Sequence, residues 1–303
     1  MNYAKMPLLN PIRFVKANGG TTHFDDNWFY NLIRRGEMKV PYFQKWVKTE
    51  TTTLYCESSV APENLIIYNS DGTVAKTIAW IQIFDAIAYK MYKLTFDLTD
   101  KAYGKYFAYQ KFVAGETIIL EAISECIWSK AEWPKTKRVK YKNSNNRFDV
   151  AFTLGLEFQF RGEYDIREFN PERDGSSYIN QVKDRVLNVM TPSRKFKFTV
   201  GDASGVAPWV IDMYNRIFCC DQVSCEDLQY VAEEGAEWEV QRIKGYPLVG
   251  GQLDIWPAYN MQSLEGADTS PQASGIIIAY NMETALVSGA GTTVPILEIE
   301  NIN

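Results

Sequence analysis

The chain has 303 residues, 46% hydrophobic, 14% aromatic and 23% charged, with 19 glycines, 12 prolines and 5 cysteines. That balance excludes a collagen-like repeat, a disordered tail and a disulfide scaffold. The formal net charge is −5 and the pI about 5.2, far from the basic range of a nucleic-acid-binding domain.

No apolar run approaches the ~20 residues that span a bilayer. Residues 1–18 lack the apolar core of a signal peptide. Cys56, Cys126, Cys219, Cys220 and Cys225 are odd in number and follow no framework spacing. These features predict a soluble chain made in a reducing cytoplasm. Charge is divided unevenly. Residues 1–150 carry 21 basic and 15 acidic side chains, a balance of +6, whereas residues 151–303 carry 11 and 22, a balance of −11. Such asymmetry suits two domains, or a basic end that meets a neighbour's acidic end.

Residues 1–30 read as an arm, mixing Pro7, Pro11, Gly19 and Gly20 without a sustained period. Asn69-Ser70-Asp71-Gly72 between the apolar runs 65–68 and 74–83 predicts a hairpin turn. Tyr92, Leu94, Phe96 and Leu98 alternate with polar residues, as in a half-buried strand. Residues 117–128 are apolar on both parities, which predicts one central strand buried on two faces. The strongest signal is 148–161: Phe148, Val150, Phe152, Leu154, Leu156, Phe158 and Phe160 occupy every second position. Unbroken, that strand would be roughly 45 Å long, so either a bulge at Gly155 or a domain junction near residue 152 is expected. Phe196, Phe198 and Val200 alternate again. Pro208 followed by Trp209, Met213 and Ile217 predicts the one convincing helix. Strands follow at 229–232, 237–243 and 253–259. Residues 263–275 read as a linker, and Gly289-Ala290-Gly291 as a turn before the apolar stretch 294–299.

Chemistry-bearing motifs are sparse. The single histidine, His23, sits near Asp25, Asp26 and Trp28. It has no second histidine or nucleophile motif, and reads as an arm or interface residue rather than a metal ligand. Cys219, Cys220 and Cys225 lack the paired spacing of a zinc site and read as small buried hydrophobes. Glu233, Glu234, Glu237 and Glu239 read as a solvated acidic face, because neighbours in sequence do not supply two opposed glycosidase carboxylates. No dinucleotide, P-loop, nucleophile-elbow or zinc-protease motif occurs. Residues 130–147 hold seven Lys/Arg against one Glu, with Trp133 and Tyr141 interleaved. That segment could hold phosphates or stack bases, but the acidic second half favours a protein partner.

Several segments resemble structural tail proteins of bacteriophages that infect Bacteroidetes, crAss-like phages and related prophages among them. They are Leu156-Glu157-Phe158-Gln159-Phe160-Arg161-Gly162-Glu163, Gly205-Val206-Ala207-Pro208-Trp209-Val210-Ile211-Asp212, residues 221–230, Ala236-Glu237-Trp238-Glu239 and Gly245-Tyr246-Pro247-Leu248. Asn10-Pro11-Ile12-Arg13-Phe14-Val15 and Asp25-Asp26-Asn27-Trp28-Phe29 also fit, so the similarity covers most of 10–260.

The resemblance implies a mainly β fold: an arm (1–30), a β-sandwich (31–152), a tail-tube-like β domain with one short helix (153–262) and a C-terminal extension (263–303). It implies a non-catalytic virion ring protein, a tail hub or connector ring, made in the bacterial host cytoplasm. Its partners would be further copies of itself and neighbouring tail or portal-proximal proteins. It needs no membrane, cofactor or metal, and would meet DNA only in passing in the tail lumen. Interface candidates are Trp133, Lys135, Lys137, Arg138, Lys140, Lys142, His23 and Trp28. The competing expectations are a carbohydrate-binding β-sandwich module of a virion and, behind it, a glycan hydrolase.

Overall fold

The structure is a computed structural model that describes residues 2–17, 43–86, 90–143, 156–179, 181–201, 205–243 and 248–258. His23, Trp28, residues 148–155 of the long alternating run, the linker 263–275 and the C-terminal turn and stretch lie outside the described residues. Those that are described fall within one compact unit, Met1–Asn260.

The fold is mainly β. Eighteen strands and one helix are described, and the strands form three sheets. The first sheet has the order β1-β4-β8-β7: β1 (Ala4–Lys5), β4 (Thr51–Ser58), β8 (Lys90–Asp97) and β7 (Ile81–Asp85). The second follows β2 (Phe14–Lys16), β10 (Thr117–Ser124), β9 (Gly104–Ala114), β11 (Ile127–Lys130) and β3 (Gln44–Val47), with the hairpin β5 (Leu65–Asn69) and β6 (Val74–Ile78) also on β9. Leu54, Leu94 and Phe96 of the first sheet meet Trp46, Leu65, Ile67 and Ile127 of the second in one buried cluster. That is a sandwich-like arrangement in which each inner face supplies alternate residues.

The expected hairpin turn is present, with Gly72 at φ 82°. The alternation of β8 is also real: Tyr92, Leu94 and Phe96 are buried while Lys93 and Thr95 are exposed. The stretch 117–128 is not one strand. Glu125 and Cys126 divide it into β10 and β11, which pair with successive parts of β9, Ile123 against Tyr109 and Ile127 against Tyr106. Apolar residues of both parities arose from two strands end to end, with Ile118 half exposed.

The third sheet closes on itself. Its order is β14-β13-β12-β15-β16-β18, and β18 pairs back onto β14. These strands are β12 (Thr136–Asn143), β13 (Leu156–Ile179), β14 (Arg185–Val200), β15 (Gln222–Cys225), β16 (Leu228–Ala232) and β18 (Val249–Pro257); β17 (Glu239–Arg242) lies along β18 beyond β16. Closure removes the free edges of an open sheet. The expected boundary near 152 falls between described segments. On its N-terminal side, β12 already pairs in this barrel.

The inner row of β13 runs Leu156, Phe158, Phe160, Gly162, Tyr164. Helix α1 (Pro208–Phe218) starts on Pro208 in its first turn and buries Val210, Ile211, Met213, Tyr214 and Ile217. Tyr214 fills the gap in that row at Gly162, with its ring 5.4 Å from Phe160 and 5.0 Å from Phe198. An alanine Cβ at Gly162 would overlap the Tyr214 hydroxyl. Glycine is required there for close approach, not for an unusual φ.

The N-terminal strap 2–17 joins the two halves. Leu9 enters the barrel core and Ile12 the sandwich core. The Asn10 side chain donates to Tyr55 O at 2.8 Å and accepts from Tyr55 N at 2.9 Å. Arg161 of β13 forks onto Glu50 and donates to Thr136, and Thr52 donates to Gln159 O at 3.0 Å. Both members of the Arg161–Glu50 pair are largely buried, at 15% and 9% side-chain exposure.

Candidate functional site

The feature that stands apart among the described residues is the distal part of the β13–β14 hairpin. β12 accompanies β13 only as far as Glu163, and β18 accompanies β14 only over Phe196–Val200. Beyond them the two strands pair only with each other among the described residues, from Asn170 against Lys195 to Ile179 against Arg185. Ten residues of strand amount to roughly 30 Å of unsupported ribbon at ~3.3 Å per residue. A register shift between Arg167 and Asn170 marks where the ribbon leaves the barrel, as bulges at barrel rims commonly do.

An isolated two-stranded ribbon is marginally stable in water. Among the described residues neither outer edge of this one has a strand neighbour, which leaves its backbone donors and acceptors as a template for pairing with another chain. Its end is apolar as well: Tyr178, Ile179 and Val182 are 56%, 64% and 77% exposed. Lys183, at φ 69°, turns the chain beside them.

The basic segment singled out from sequence divides between two places. Lys137, Arg138 and Lys140 lie on β12, Arg138 and Lys140 on its outer face and Lys137 over the ring of Tyr164, and are neutralised within the chain. Lys137 Nζ lies 3.1 Å from Glu226 and 3.5 Å from Asp165, Lys140 Nζ 3.0 Å from Asp227, and Arg138 Nε 3.6 Å from Glu50. The Lys140 ammonium holds the Asp227 carboxyl below its usual value. Arg167 does the same for Asp165, with Lys137 adding to it. Lys142 is half-buried further along β12, and Lys135 sits exposed at φ 66° in the preceding turn. Trp133 is half-buried and belongs to the sandwich end: its Nε1 donates to Trp46 O at 3.0 Å and Trp128 O at 3.1 Å. The structure therefore does not gather these six residues into one patch, and His23 and Trp28 lie outside the described residues.

Cys56, Cys126, Cys220 and Cys225 are buried thiols, and Cys219 is exposed. Burial pushes the Cys225 thiol up to about 12, the opposite of an activated thiolate. Among the described residues no cluster of His, Cys, Asp and Glu has the makings of a metal site, and no helix is long and apolar enough to cross a membrane. Of the acidic cluster, Glu233 joins Asp254 on Lys195, at 2.6 and 2.8 Å, and the pair raises the pKa of that lysine. A groove of about 160 Å³ runs between the strap and α1, where Arg13 stacks on Trp209 at 5.3 Å. It is smaller than the ~300 Å³ at which small-molecule sites begin.

Sequence reasoning missed the ribbon because hydrophobic periodicity reports a buried face, and the ribbon residues whose burial is described are exposed or half-buried. The one available signal was its composition, Tyr178-Ile179 and Val182 around a polar turn, which alternation counting passes over. Comparisons with protein families, with curated proteins and with solved structures found no match for this chain.

Proposed function

We propose that the chain is a non-catalytic virion structural protein that forms a ring in a phage tail, as a tail hub or connector ring. The β13–β14 ribbon is the element that joins one copy to the next. The observation that carries this reading is the ribbon's geometry: among the described residues, two strands that pair only with each other beyond the barrel, ending in an apolar tip. Edge-to-edge pairing repeated around a closed ring would leave no edge exposed. The contacts above and below such a ring would be other tail or portal-proximal proteins, with DNA passing through its lumen. The phage assignment comes from the resemblance of the segments quoted above, and the ribbon supports the assembly part of it.

The test is sedimentation velocity and negative-stain microscopy of the full chain, beside the variant Tyr178→Asp/Ile179→Asp/Val182→Asp. The wild type should form rings at micromolar concentration. The variant should stay monomeric with an unchanged circular dichroism spectrum, since the three side chains touch no core. A wild type that remains monomeric would overturn the proposal, and a glycan-binding monomer would support the carbohydrate-binding alternative.

A further inference from the structure

On the outer face of the barrel two arginines stand directly opposite one another across neighbouring strands, Arg138 of β12 in register with Arg161 of β13. Like charges in that relation destabilise a sheet. One carboxylate serves both. Glu50, in the turn between β3 and β4, accepts from Nε and Nη2 of Arg161 and lies 3.6 Å from Nε of Arg138. The third nitrogen of Arg161, Nη1, donates to Thr136, at 2.9 Å to its carbonyl and 2.8 Å to its hydroxyl. Asp227, which also feels the Arg138 charge, is engaged by Lys140 at 3.0 Å.

Arg138, Arg161 and Glu50 line a groove of about 370 Å³ together with Thr49, Thr51 and Gln159. That volume exceeds the ~300 Å³ at which small-molecule sites begin. Its charged lining residues are two arginines and one glutamate, a balance of +1. Both oxygens of the glutamate are taken by Arg161. The Arg138 side chain, in contrast, is 49% exposed and donates no hydrogen bond among the described residues. Thr49 and Thr51 are exposed, and among the described residues their hydroxyls and the Gln159 amide form no hydrogen bond either. The groove is lined by no aromatic side chain, so it offers no surface on which bases stack. What it offers is a guanidinium fork and small polar groups around a pair of arginines that share one carboxylate.

We propose that this groove binds a tetrahedral oxyanion: inorganic phosphate or the phosphate group of a small ester. Such a group carries about −1.5 to −2 charges near neutral pH and presents acceptor oxygens in several directions. The exposed fork of Arg138 would hold two of them, the bidentate geometry that suits guanidinium to phosphate. The Thr49 and Thr51 hydroxyls and the Gln159 amide would reach the others. Arg161, already bonded to Glu50 and Thr136, contributes its charge and fixes the opposite wall. The bound anion would offset the cross-strand repulsion between the two arginines. The site is separate from the ribbon and does not depend on the assembly reading.

The experiment is calorimetric titration of the full chain with inorganic phosphate and, separately, with glycerol 1-phosphate, at constant ionic strength. The wild type should show a single saturable site with a dissociation constant of about 1 mM or tighter. Arg138→Gln should weaken binding about tenfold or more, with circular dichroism and the denaturant midpoint unchanged because the side chain is exposed. Thr49→Val/Thr51→Val should weaken it about threefold. Lys142→Gln, on the same strand but outside the groove lining, should leave the affinity within about twofold of the wild type. No saturable binding of either probe up to about 50 mM, or undiminished binding by Arg138→Gln, overturns the inference. A loss in Lys142→Gln as large as in Arg138→Gln would mark diffuse positive charge in place of a site and overturns it equally. Saturation by inorganic phosphate alone supports the site with the free ion as its ligand, and saturation by glycerol 1-phosphate as well supports it for esters.

Discussion

Gly162→Ala tests the packing of α1 into the barrel. Gly162 is on the inner row of β13, and its missing side chain is what admits Tyr214. A Cβ there would overlap the Tyr214 hydroxyl and stand 2.8 Å from Phe160 Cε1 and 3.0 Å from Tyr214 Cζ. Tyr214 cannot yield easily, since its ring is wedged among Phe160, Tyr164 and Phe198 at centroid distances of 5.4, 6.0 and 5.0 Å. Alanine in a strand would otherwise gain about 0.5–1 kcal/mol over glycine in backbone entropy. Overpacking costs ~1–3 kcal/mol, so the net expectation is a loss of about 1–2 kcal/mol.

Tyr214→Phe supplies the discriminating partner. It removes the oxygen that the new Cβ overlaps but keeps Cζ, so relief is partial. The double variant should recover about 1 kcal/mol relative to the sum of the singles, a coupling of the size expected for residues in contact. Guanidinium unfolding followed by tryptophan fluorescence gives the midpoints. Gly162→Ala as stable as the wild type, or strict additivity with Tyr214→Phe, would refute the account of why α1 seats where it does.

Three further outcomes follow from the same geometry. Arg161→Met leaves the Glu50 carboxylate buried without its fork and should cost ~3–5 kcal/mol, with Arg161→Met/Glu50→Met less harmful than the single variant; denaturant midpoints of the three chains decide it. In iodoacetamide labelling of the native chain followed by peptide mass spectrometry, Cys219 should react first, and Cys225, buried with its thiol at about 12, should react only after unfolding. Asp100 is held down at about 2 by hydrogen bonds from Lys101 and Lys76, below its ordinary 3.8. A depressed folded value stabilises above the unfolded pKa and loses that contribution as pH falls through the folded one. The melting temperature should therefore fall less between pH 4 and 2 in Asp100→Asn than in the wild type, and added salt should shrink the difference.

Local pattern determined most of the individual elements. β8, β14 near the barrel and the described end of the 148–161 run show the alternation their residues require, because one face is buried and side chains change face at every residue. Pro208 and the four-residue spacing of Trp209, Met213 and Ile217 located α1 for the same kind of reason. Where two strands abut, pattern failed: 117–128 looked like one doubly buried strand because sequence shows no register, and only pairing with successive parts of β9 separates β10 from β11. Charge was legible as a sum but not as a surface. Lys137 and Lys140 find Glu226 and Asp227 nearly ninety positions away, and Lys130, close to them in sequence, instead lies over the rings of Trp128 and Trp133 at the second sheet. Closure of the barrel, the glycine-for-tyrosine fit of β13 with α1, and the ribbon beyond its rim were decided by tertiary structure. Each depends on contacts between residues distant in the chain, and residue order carries no local trace of such contacts.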